Sequence, residues 1–197
     1  MISTALTPLE EMGGILQISA AMTQGDDFDL QPTLAGELLT LRPLQENDFE
    51  ALYAVASDPL IWEQHPEPTR CERPIFERWF DLAMKSGGTL VAIDNRSGEM
   101  MGSSRYYEWD AAKREVAIGF TFLARSHWGG AANGEMKRLM LGHAFQWADR
   151  VWLHIGKDNL RSMKAAEKIG AIYSHEAAKE IAGTTRPYGY YFLSKSV

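Results

Sequence analysis

The chain has 197 residues, 45% of them hydrophobic and 23% charged, with a formal net charge of −6 at pH 7. This length suits one domain with an appendage, and no apolar run approaches the 18 or so residues that a membrane-spanning helix needs. A single cysteine, Cys71, excludes an internal disulfide and a cysteine-based metal cluster.

The charge is unevenly distributed along the chain. Residues 1–41 contain six acidic residues and no Lys or Arg, whereas the remainder has 20 acidic and 20 basic residues. The balanced remainder lacks the basic face that nucleic-acid binding requires. We interpret residues 1–36 as an acidic arm, which is solvated or docks on its own domain or a second subunit of a homodimer, and residues 37–197 as the folded domain. Because the first basic residue is Arg42, no secretory signal is expected, and a cytoplasmic location is predicted.

Apolar periodicity and turn residues predict the elements of the first half of the chain. In order, these are a short helix at Leu9–Met22, a strand at Glu37–Pro43, a helix from Asn47 or Asp48 through Ser57, a loop at Ile61–Cys71 and a helix from Pro74 to the pair Gly87 and Gly88.

Three consecutive strands, Thr89–Asp94, Glu99–Trp109 and Lys113–Leu123, predict an antiparallel meander. The elements that follow are a long helix at Asn133–Asp149, a strand at Val151–Ile155, a helix at Leu160–Ile169 and a hairpin of Ala171–Ile181 with Arg186–Leu193. The long helix joins two strands as a central βαβ unit, so those strands should be parallel. The predicted fold class is α+β, with a mixed, mostly antiparallel sheet of about seven strands and about four helices.

The stretch Trp128–Asn133 lies between a predicted strand and the long helix and is rich in Gly and Ala. Free N–H groups at a helix start, approached closely past small residues, are suited to binding a phosphate. Gly129 and Gly134 have P-loop spacing, but Glu135 occupies the position of the phosphate-binding lysine, which argues against nucleotide hydrolysis. A plain tight turn remains the alternative.

Two segments resemble the GNAT N-acetyltransferase superfamily. The run from Trp128 to Glu135 is similar to its pyrophosphate loop, Q/R-x-x-G-x-G/A, with Gly129 and Ala131 at the small positions and Ser126 where Gln or Arg is usual. The runs Asp158–Ser162 and Lys168–Ala171 resemble the later N-x-x-S/A and K-x-G-A/F segments. The resemblance covers about Glu37 to Val197, is closest to the RimJ/RimL ribosomal-protein acetyltransferases, and implies the GNAT fold.

The resemblance implies direct transfer of an acetyl group from acetyl-CoA to an amine in a ternary complex. The backbone of Phe122–Ala124 would pair with pantetheine, and Asn159 would hold the same arm, unless it only caps a helix. The residues implied in cofactor binding are Phe122, Leu123, Ala124, Trp128, Gly129, Gly130, Ala131, Ala132, Asn133, Asn159 and Ser162.

The acid and base of the reaction are less evident. Ala166 occupies the position of the tyrosine acid of many relatives, and Ala117 the position of a frequent glutamate. The RimL-like branch implies Ser162 as the acid instead, with a polar helix residue as the alternative. The candidates for the base are Glu115, on the same strand face as Ala117, and Glu63 and His65 in the early loop.

The acceptor side is predicted from the early loop and the aromatic strands. The candidate substrate-binding residues are Trp62, Glu63, His65 and Tyr106, and the histidines show no metal-ligand spacing. Without a dedicated base, an α-amine with a pKa of about 7.7–8.0 is easier to deprotonate than lysine, at about 10.4, by roughly 3.4 kcal/mol. We therefore expect a protein N-terminal α-amine or a small-molecule amine as acceptor. The alternative is a catalytically silent acyl-CoA-binding module, suggested by Ala166, Ala117 and Ser126.

Overall fold

The computed structural model describes residues 28–181 and 184–195. Over this part of the chain the elements are β1 (Leu34–Ala35), β2 (Leu39–Pro43), α1 (Phe49–Ala56), α2 (Arg73–Lys85), β3 (Thr89–Asp94), β4 (Met100–Asp110), β5 (Glu115–Leu123), α3 (Ala131–Ala144), β6 (Arg150–Gly156), α4 (Leu160–Lys168), β7 (Ile172–Ile181) and β8 (Thr184–Ser194). The predicted helix at Leu9–Met22 lies outside the described residues.

The strands form one open sheet in the order β1-β2-β3-β4-β5-β6-β8-β7. All neighbouring pairs are antiparallel except β5 and β6, which are parallel and connected through α3. This confirms the predicted mixed, mostly antiparallel sheet with a central βαβ unit and four helices. The additional strand is β1, a two-residue segment paired with β2.

The two faces of the sheet carry separate hydrophobic clusters. One packs under α3 and α4 and includes Ile118, Met136 and Met140. The other packs under α1 and α2, where the predicted apolar face of α2 is buried as expected from its spacing. Phe122 of β5 belongs to this second cluster, so the end of β5 is contacted from the α2 side of the sheet.

The long helix is shorter than predicted and begins earlier. It starts at Ala131 and ends at Ala144, after which the N–H groups of Gln146 and Trp147 donate three residues back instead of four. Its buried stripe is Ala132, Met136, Met140 and Ala144. Helical spacing in the sequence predicts one apolar face of Met136, Leu139, Met140, His143 and Trp147, but Leu139, His143 and Trp147 are only half-buried. The prediction was wrong here because large apolar residues were counted and the small alanines, which let the helix approach the sheet, were not.

Residues 28–35 pack against the domain. Phe28 is buried with its ring edge-on to Tyr106, and a ring nitrogen of His143 lies 2.8 Å from the Asp29 carbonyl oxygen. The assignment of residues 1–36 as an arm stays a prediction, but its last residues contact the folded body.

Glu135 of α3 holds the turn that leads into β2. Its carboxylate accepts the backbone N–H groups of Glu37, Leu38 and Leu39 at 2.9, 2.8 and 3.0 Å. A Cβ placed on Gly36 would lie 2.6 Å from the Glu135 carboxyl carbon, so the turn can approach this closely only with glycine. The residue that replaces the P-loop lysine in the sequence therefore has a structural role.

Candidate active site

The central strands β5 and β6 separate towards their carboxyl ends. Their pairing covers only Glu115–Ala117 with Arg150–Trp152. Beyond it, the β4–β5 register shifts opposite Ser103–Arg105, and Phe120 has a φ of +52°. A bulge of this kind bends its strand, and positive φ is strained for a bulky side chain, as is common at functional sites. The result is a gap between the last residues of β5 and β6.

The glycine-rich loop leads from the end of β5 into α3. Gly129 has a φ of +70° and Gly130 is the extended N-cap residue, so α3 begins at Ala131. No side chain from the described part of the chain caps this end, and its first turn contains no acidic residue. A Cβ on Gly129 would meet nothing within 4 Å, so the space beside the loop is open. Free N–H groups beside open space are suited to binding a diphosphate.

The backbone N–H and C=O groups of Phe122–Ala124 point alternately to the two edges of β5. The Ala124 N–H donates to Met101 of β4 at 2.8 Å. Because hydrogen bonding alternates along a strand, Leu123 turns its N–H and C=O to the opposite edge, beside the gap. The Leu123 carbonyl accepts the indole N–H of Trp128 at 2.9 Å. Trp128, predicted as a cofactor residue, thus braces the loop, and the Leu123 N–H is directed at the gap.

Asn159 and Ser162 lie where β6 passes into α4. The Asn159 side-chain oxygen accepts the Ser162 N–H at 3.1 Å, so Asn159 is the N-cap of α4. This capping uses the oxygen of the amide and leaves its NH₂ group for another partner. Ser162 is half-buried in the first turn of α4.

Arg161, between these two residues, connects three parts of the site. Its guanidinium lies 4.0 Å from the centre of the Trp128 ring and donates to the Ile61 carbonyl at 2.7 Å. Its backbone N–H donates to the Gln64 side chain at 3.2 Å. Sequence analysis missed Arg161, because nothing in the sequence distinguishes it from a surface arginine of α4.

Three polar side chains form a hydrogen-bonded series from α3 to the bulge in β5. The Lys137 ammonium donates to the Thr121 hydroxyl at 2.8 Å. The Thr121 hydroxyl in turn lies 2.7 Å from the hydroxyl of Ser104 on β4. Burial lowers the pKa of Lys137 to about 8. Helical spacing alone puts Lys137 away from the apolar face of α3. Only the position of the helix over β5 directs its side chain to the bulge.

The early loop forms the opposite wall. Trp62 is buried, with its ring 5.0 Å from that of Phe122, and its indole N–H donates to the Ala56 carbonyl. His65 accepts the Glu67 N–H through Nδ1 at 3.0 Å, and burial together with the Arg70 cation lowers the pKa of His65 to about 3. Glu63 is exposed at the rim of this wall.

Two other predicted residues lie away from the gap. Glu115 is at the paired end of β5, where its carboxylate oxygens accept from Arg150 and the Trp152 indole at 3.0 and 2.9 Å. Tyr106, predicted to bind substrate, is buried on the α3 side with its hydroxyl donating to the Met140 carbonyl.

Tyr107, the next residue along β4, lies on the acceptor side instead. It passes over Gly119, where a Cβ would lie 3.0 Å from its ring, and its hydroxyl is 3.1 Å from Nδ1 of His154 on β6. Side chains alternate along a strand, so these adjacent tyrosines face opposite sides of the sheet. The bulge further along interrupts the alternation, and for this reason the sequence does not show which of the two faces which side.

Comparisons with known proteins agree with this fold. The sequence profile described as an "Acetyltransferase (GNAT) domain" matches residues 39–172, more than half of the chain. A GCN5-related N-acetyltransferase from Brucella melitensis has a similar structure, with a TM-score of 0.74 at 22% identity, covering 83% of this chain and 79% of that one. No curated protein matches the sequence significantly.

Two further solved structures resemble the chain. RimJ from Mycobacterium smegmatis, in complex with CoA-disulfide, has a TM-score of 0.62 at 19% identity, covering 83% of this chain and 87% of that one. A Vibrio cholerae protein provisionally assigned as a ribosomal-protein-serine acetyltransferase has a TM-score of 0.67 at 13% identity, covering 83% and 98%.

Fold and profile together define an acyltransferase. More specifically, the chain belongs to the GNAT family of acetyltransferases, a family that uses acetyl-CoA as acetyl donor. The resemblance stated from the sequence is thus confirmed, and so is the prediction of an acyltransferase. Within residues 28–181 and 184–195, no helix is long and apolar enough to cross a bilayer, and no group of three or more His, Cys, Asp or Glu residues is arranged to hold a metal ion.

Proposed function

We propose that this protein transfers the acetyl group of acetyl-CoA directly to an α-amine or a small-molecule amine in a ternary complex, and that it belongs to the RimJ/RimL-like branch. The observation that carries the proposal is the gap between β5 and β6, which opens next to the free start of α3. The structural likeness to RimJ with a bound CoA derivative supports the same cofactor.

The two ends of the cofactor would contact different parts of this arrangement. The diphosphate would lie against the N–H groups that follow Gly129 and Gly130, where the helix dipole favours negative charge. The pantetheine arm would run along the open edge of β5, between the Leu123 N–H and the free NH₂ group of Asn159. In this placement the Leu123 N–H also reaches the thioester oxygen and stabilises it as negative charge develops.

The reaction requires one nucleophilic displacement. The neutral amine attacks the thioester carbonyl carbon, a C–N bond forms, the C–S bond breaks, and the proton lost by the amine balances protonation of the CoA thiolate. We keep Ser162 as the candidate donor of that thiolate proton, because it lies in the first turn of α4 and donates its backbone N–H to the side chain of Asn159.

We assign no general base to the early loop or to β5. The Nδ1 lone pair of His65 is used by the Glu67 N–H, and its pKa of about 3 makes it a weak base. Glu115 lies at the closed end of the strand pair with both carboxylate oxygens occupied. An amine that is already partly neutral at pH 7 is therefore the better acceptor.

A matched pair of peptides tests this proposal. One has a free α-amine and an acetylated lysine, and the other has an acetylated α-amine and a free lysine. We expect thiol release with the first to exceed that with the second by at least tenfold at pH 7, because roughly 300-fold more of the α-amine is neutral. Faster lysine acetylation would contradict the proposed acceptor class.

A thermal melt addresses the cofactor separately. Acetyl-CoA at about 100 times its Kd should stabilise the protein by about 2.7 kcal/mol, and ATP or NAD should not. A melt that acetyl-CoA does not shift would contradict the cofactor placement. Stabilisation without turnover of any amine would instead favour the silent acyl-CoA-binding module.

A further inference from the structure

Three polar side chains on the α2 side of the sheet each have a buried atom without a hydrogen-bond partner among the described residues. In the described part of the chain, the buried atoms without a partner include the Trp79 indole nitrogen, the Ser103 hydroxyl and one guanidinium NH₂ of Arg105. Ser103 and Arg105 are two residues apart on β4, so they share a face. The Arg105 Cζ atom lies 5.8 Å from the centre of the Trp79 ring, which places α2 over the same region.

Arg105 of β4 is a buried cation. It is 6% exposed, its Nε donates to the Thr89 hydroxyl at 2.8 Å, and no carboxylate in the described residues pairs with it. Its neighbour Arg70 is equally buried but is paired with Glu67. Burial and the Arg70 cation lower the pKa of Arg105 to about 10, so the guanidinium is still protonated at neutral pH.

A buried charge is costly unless an opposite charge pairs with it. The arginine and the tryptophan can only donate hydrogen bonds, and the serine hydroxyl can donate one. Two donors on the same side of the sheet as a guanidinium that no described carboxylate neutralises form an environment that suits an anion with acceptor oxygens. A carboxylate is the anion whose planar shape matches a guanidinium.

The position of Arg105 relates this cluster to the proposed reaction. Arg105 pairs with Gly119, the residue before the bulge, and the Phe120 ring covers its guanidinium at 4.3 Å. Phe120 is half-buried and is the strained residue at the point where β5 leaves β6. The buried cation therefore lies directly behind the side chain that borders the gap.

We infer that the acceptor amine carries a carboxylate, and that Arg105 binds this carboxylate with Trp79 and Ser103 as further donors. The inference rests on the proposed acetyl transfer and specifies its substrate class. The Phe120 ring covers the guanidinium of Arg105, so the carboxylate reaches the inner NH₂ group when this ring rotates away. Phe120 thereby links recognition of the acceptor to the bulge beside the thioester.

Matched acceptors that differ only in charge test this inference on the unmodified protein. Suitable small acceptors are glycylglycine and its amide, whose α-amines have nearly the same pKa, and suitable peptides begin with Asp or Asn and with Glu or Gln. We expect kcat/KM to fall about 10- to 100-fold when the carboxylate becomes an amide, as for loss of a charged hydrogen bond. If kcat/KM falls only for the glycylglycine pair, the subsite binds the terminal carboxylate of a small acceptor, and if it falls only for the peptide pairs, the subsite binds an acidic first side chain.

A substitution assigns the discrimination to one residue. Arg105→Met should raise KM for the carboxylate acceptor and leave the amide acceptor unchanged, and Arg105→Lys should restore part of the preference. Arg73→Met removes an exposed arginine of α2 and should change neither acceptor. Should Arg105→Met fail to fold, Arg105→Lys and the acceptor pairs still decide the question.

The two proposals fail in different ways. Equal acetylation of each acid and its amide by the unmodified protein would overturn the carboxylate subsite and leave acetyl transfer intact. Water would then be the partner of the buried donors of Trp79, Ser103 and Arg105. Failure to acetylate any amine would overturn both. A preference for the acid that persists in Arg105→Met would move the subsite away from Arg105 and contradict the inference.

Discussion

The guanidinium of Arg161 lies 4.0 Å from the centre of the Trp128 ring, and this stacked pair joins the two sides of the site. Trp128 braces the Leu123 carbonyl at the end of β5, and Arg161 donates to the Ile61 carbonyl in the early loop. One side chain of α4 thus holds both the proposed cofactor loop and the acceptor wall. Movement of either should be transmitted to the other through this contact.

Arg161→Ala should weaken acetyl-CoA binding about 3- to 30-fold, the range expected for loss of a partly desolvated cation–π contact. It should also destabilise the fold by about 1–3 kcal/mol, because the Ile61 carbonyl loses its donor. Titration of acetyl-CoA and thermal melts measure the two effects. Arg78→Ala, at an exposed position of α2, is the control, and an unchanged acetyl-CoA affinity in Arg161→Ala would rule out the bracing role.

Glu135→Gln should destabilise the protein by about 1–3 kcal/mol, because an amide has one acceptor oxygen for the three N–H groups that the carboxylate holds. Burial opposes ionisation, but the hydrogen bonds from Glu37, Leu38 and Leu39 lower the pKa of Glu135 below its ordinary 4.5. The stabilisation from this carboxylate is therefore complete above pH 4.5 and is lost as the pH falls through the folded-state pKa.

Urea melts of Glu135→Gln at pH 7 and pH 4 measure both consequences. The difference from the unmodified protein should be largest at pH 7 and smaller towards acid. Glu99→Gln, at an exposed turn, should show neither effect. A deficit that grows towards acid pH would contradict the assigned role of the carboxylate.

Gly129→Ala should reduce acetyl-CoA affinity much more than stability. Gly129 and Gly87 both have positive φ, +70° and +62°, and neither has an atom within 4 Å of the position of a Cβ. Each alanine substitution should therefore cost about 1 kcal/mol in backbone strain. Only Gly129 lies in the loop where the diphosphate would approach the backbone, so only its substitution should raise the Kd of acetyl-CoA. Equal affinities in the two variants would remove the loop from the cofactor site.

The stability of the protein should fall as the pH is lowered from 7 towards 4. Burial lowers the pKa of His65 to about 3 and that of His154 to about 4, from an ordinary 6.5. Between these values the unfolded chain binds more protons than the folded one, so the free energy of unfolding rises with pH. Each histidine contributes at most about 1.4 kcal/mol per pH unit in this range.

Denaturant melts of His65→Gln across this range test the assignment. Glutamine retains an acceptor for the Glu67 N–H and does not titrate, so the slope of stability against pH should become shallower. His175→Gln, at an exposed strand position, is the comparison. An unchanged slope in His65→Gln would show that His65 is protonated in the folded state as readily as in the unfolded chain.

The order of the elements and the position of the glycine-rich loop that we propose as the cofactor loop followed from the sequence alone. The apolar face of α2, the glycines before α3 and the central strand–helix–strand unit are local patterns, and local patterns reflect backbone geometry within a few residues. The spacing from Gly129 to Asn159 also carried the family resemblance, because both residues follow central strands whose order the connections restrict.

The acceptor side was decided by tertiary structure. Arg105 and Arg161 look like ordinary strand and helix residues in the sequence, and their roles depend on partners far away in the chain, Trp79 and Trp128. The sequence predicted Tyr106 to bind substrate, but Tyr106 faces α3, and its neighbour Tyr107 faces the opposite side of the sheet, next to His154. The packing of the sheet and helices determines which side chains of a strand lie on each face and which buried charge lacks a described partner. Sequence periodicity contains no information about contacts across that packing.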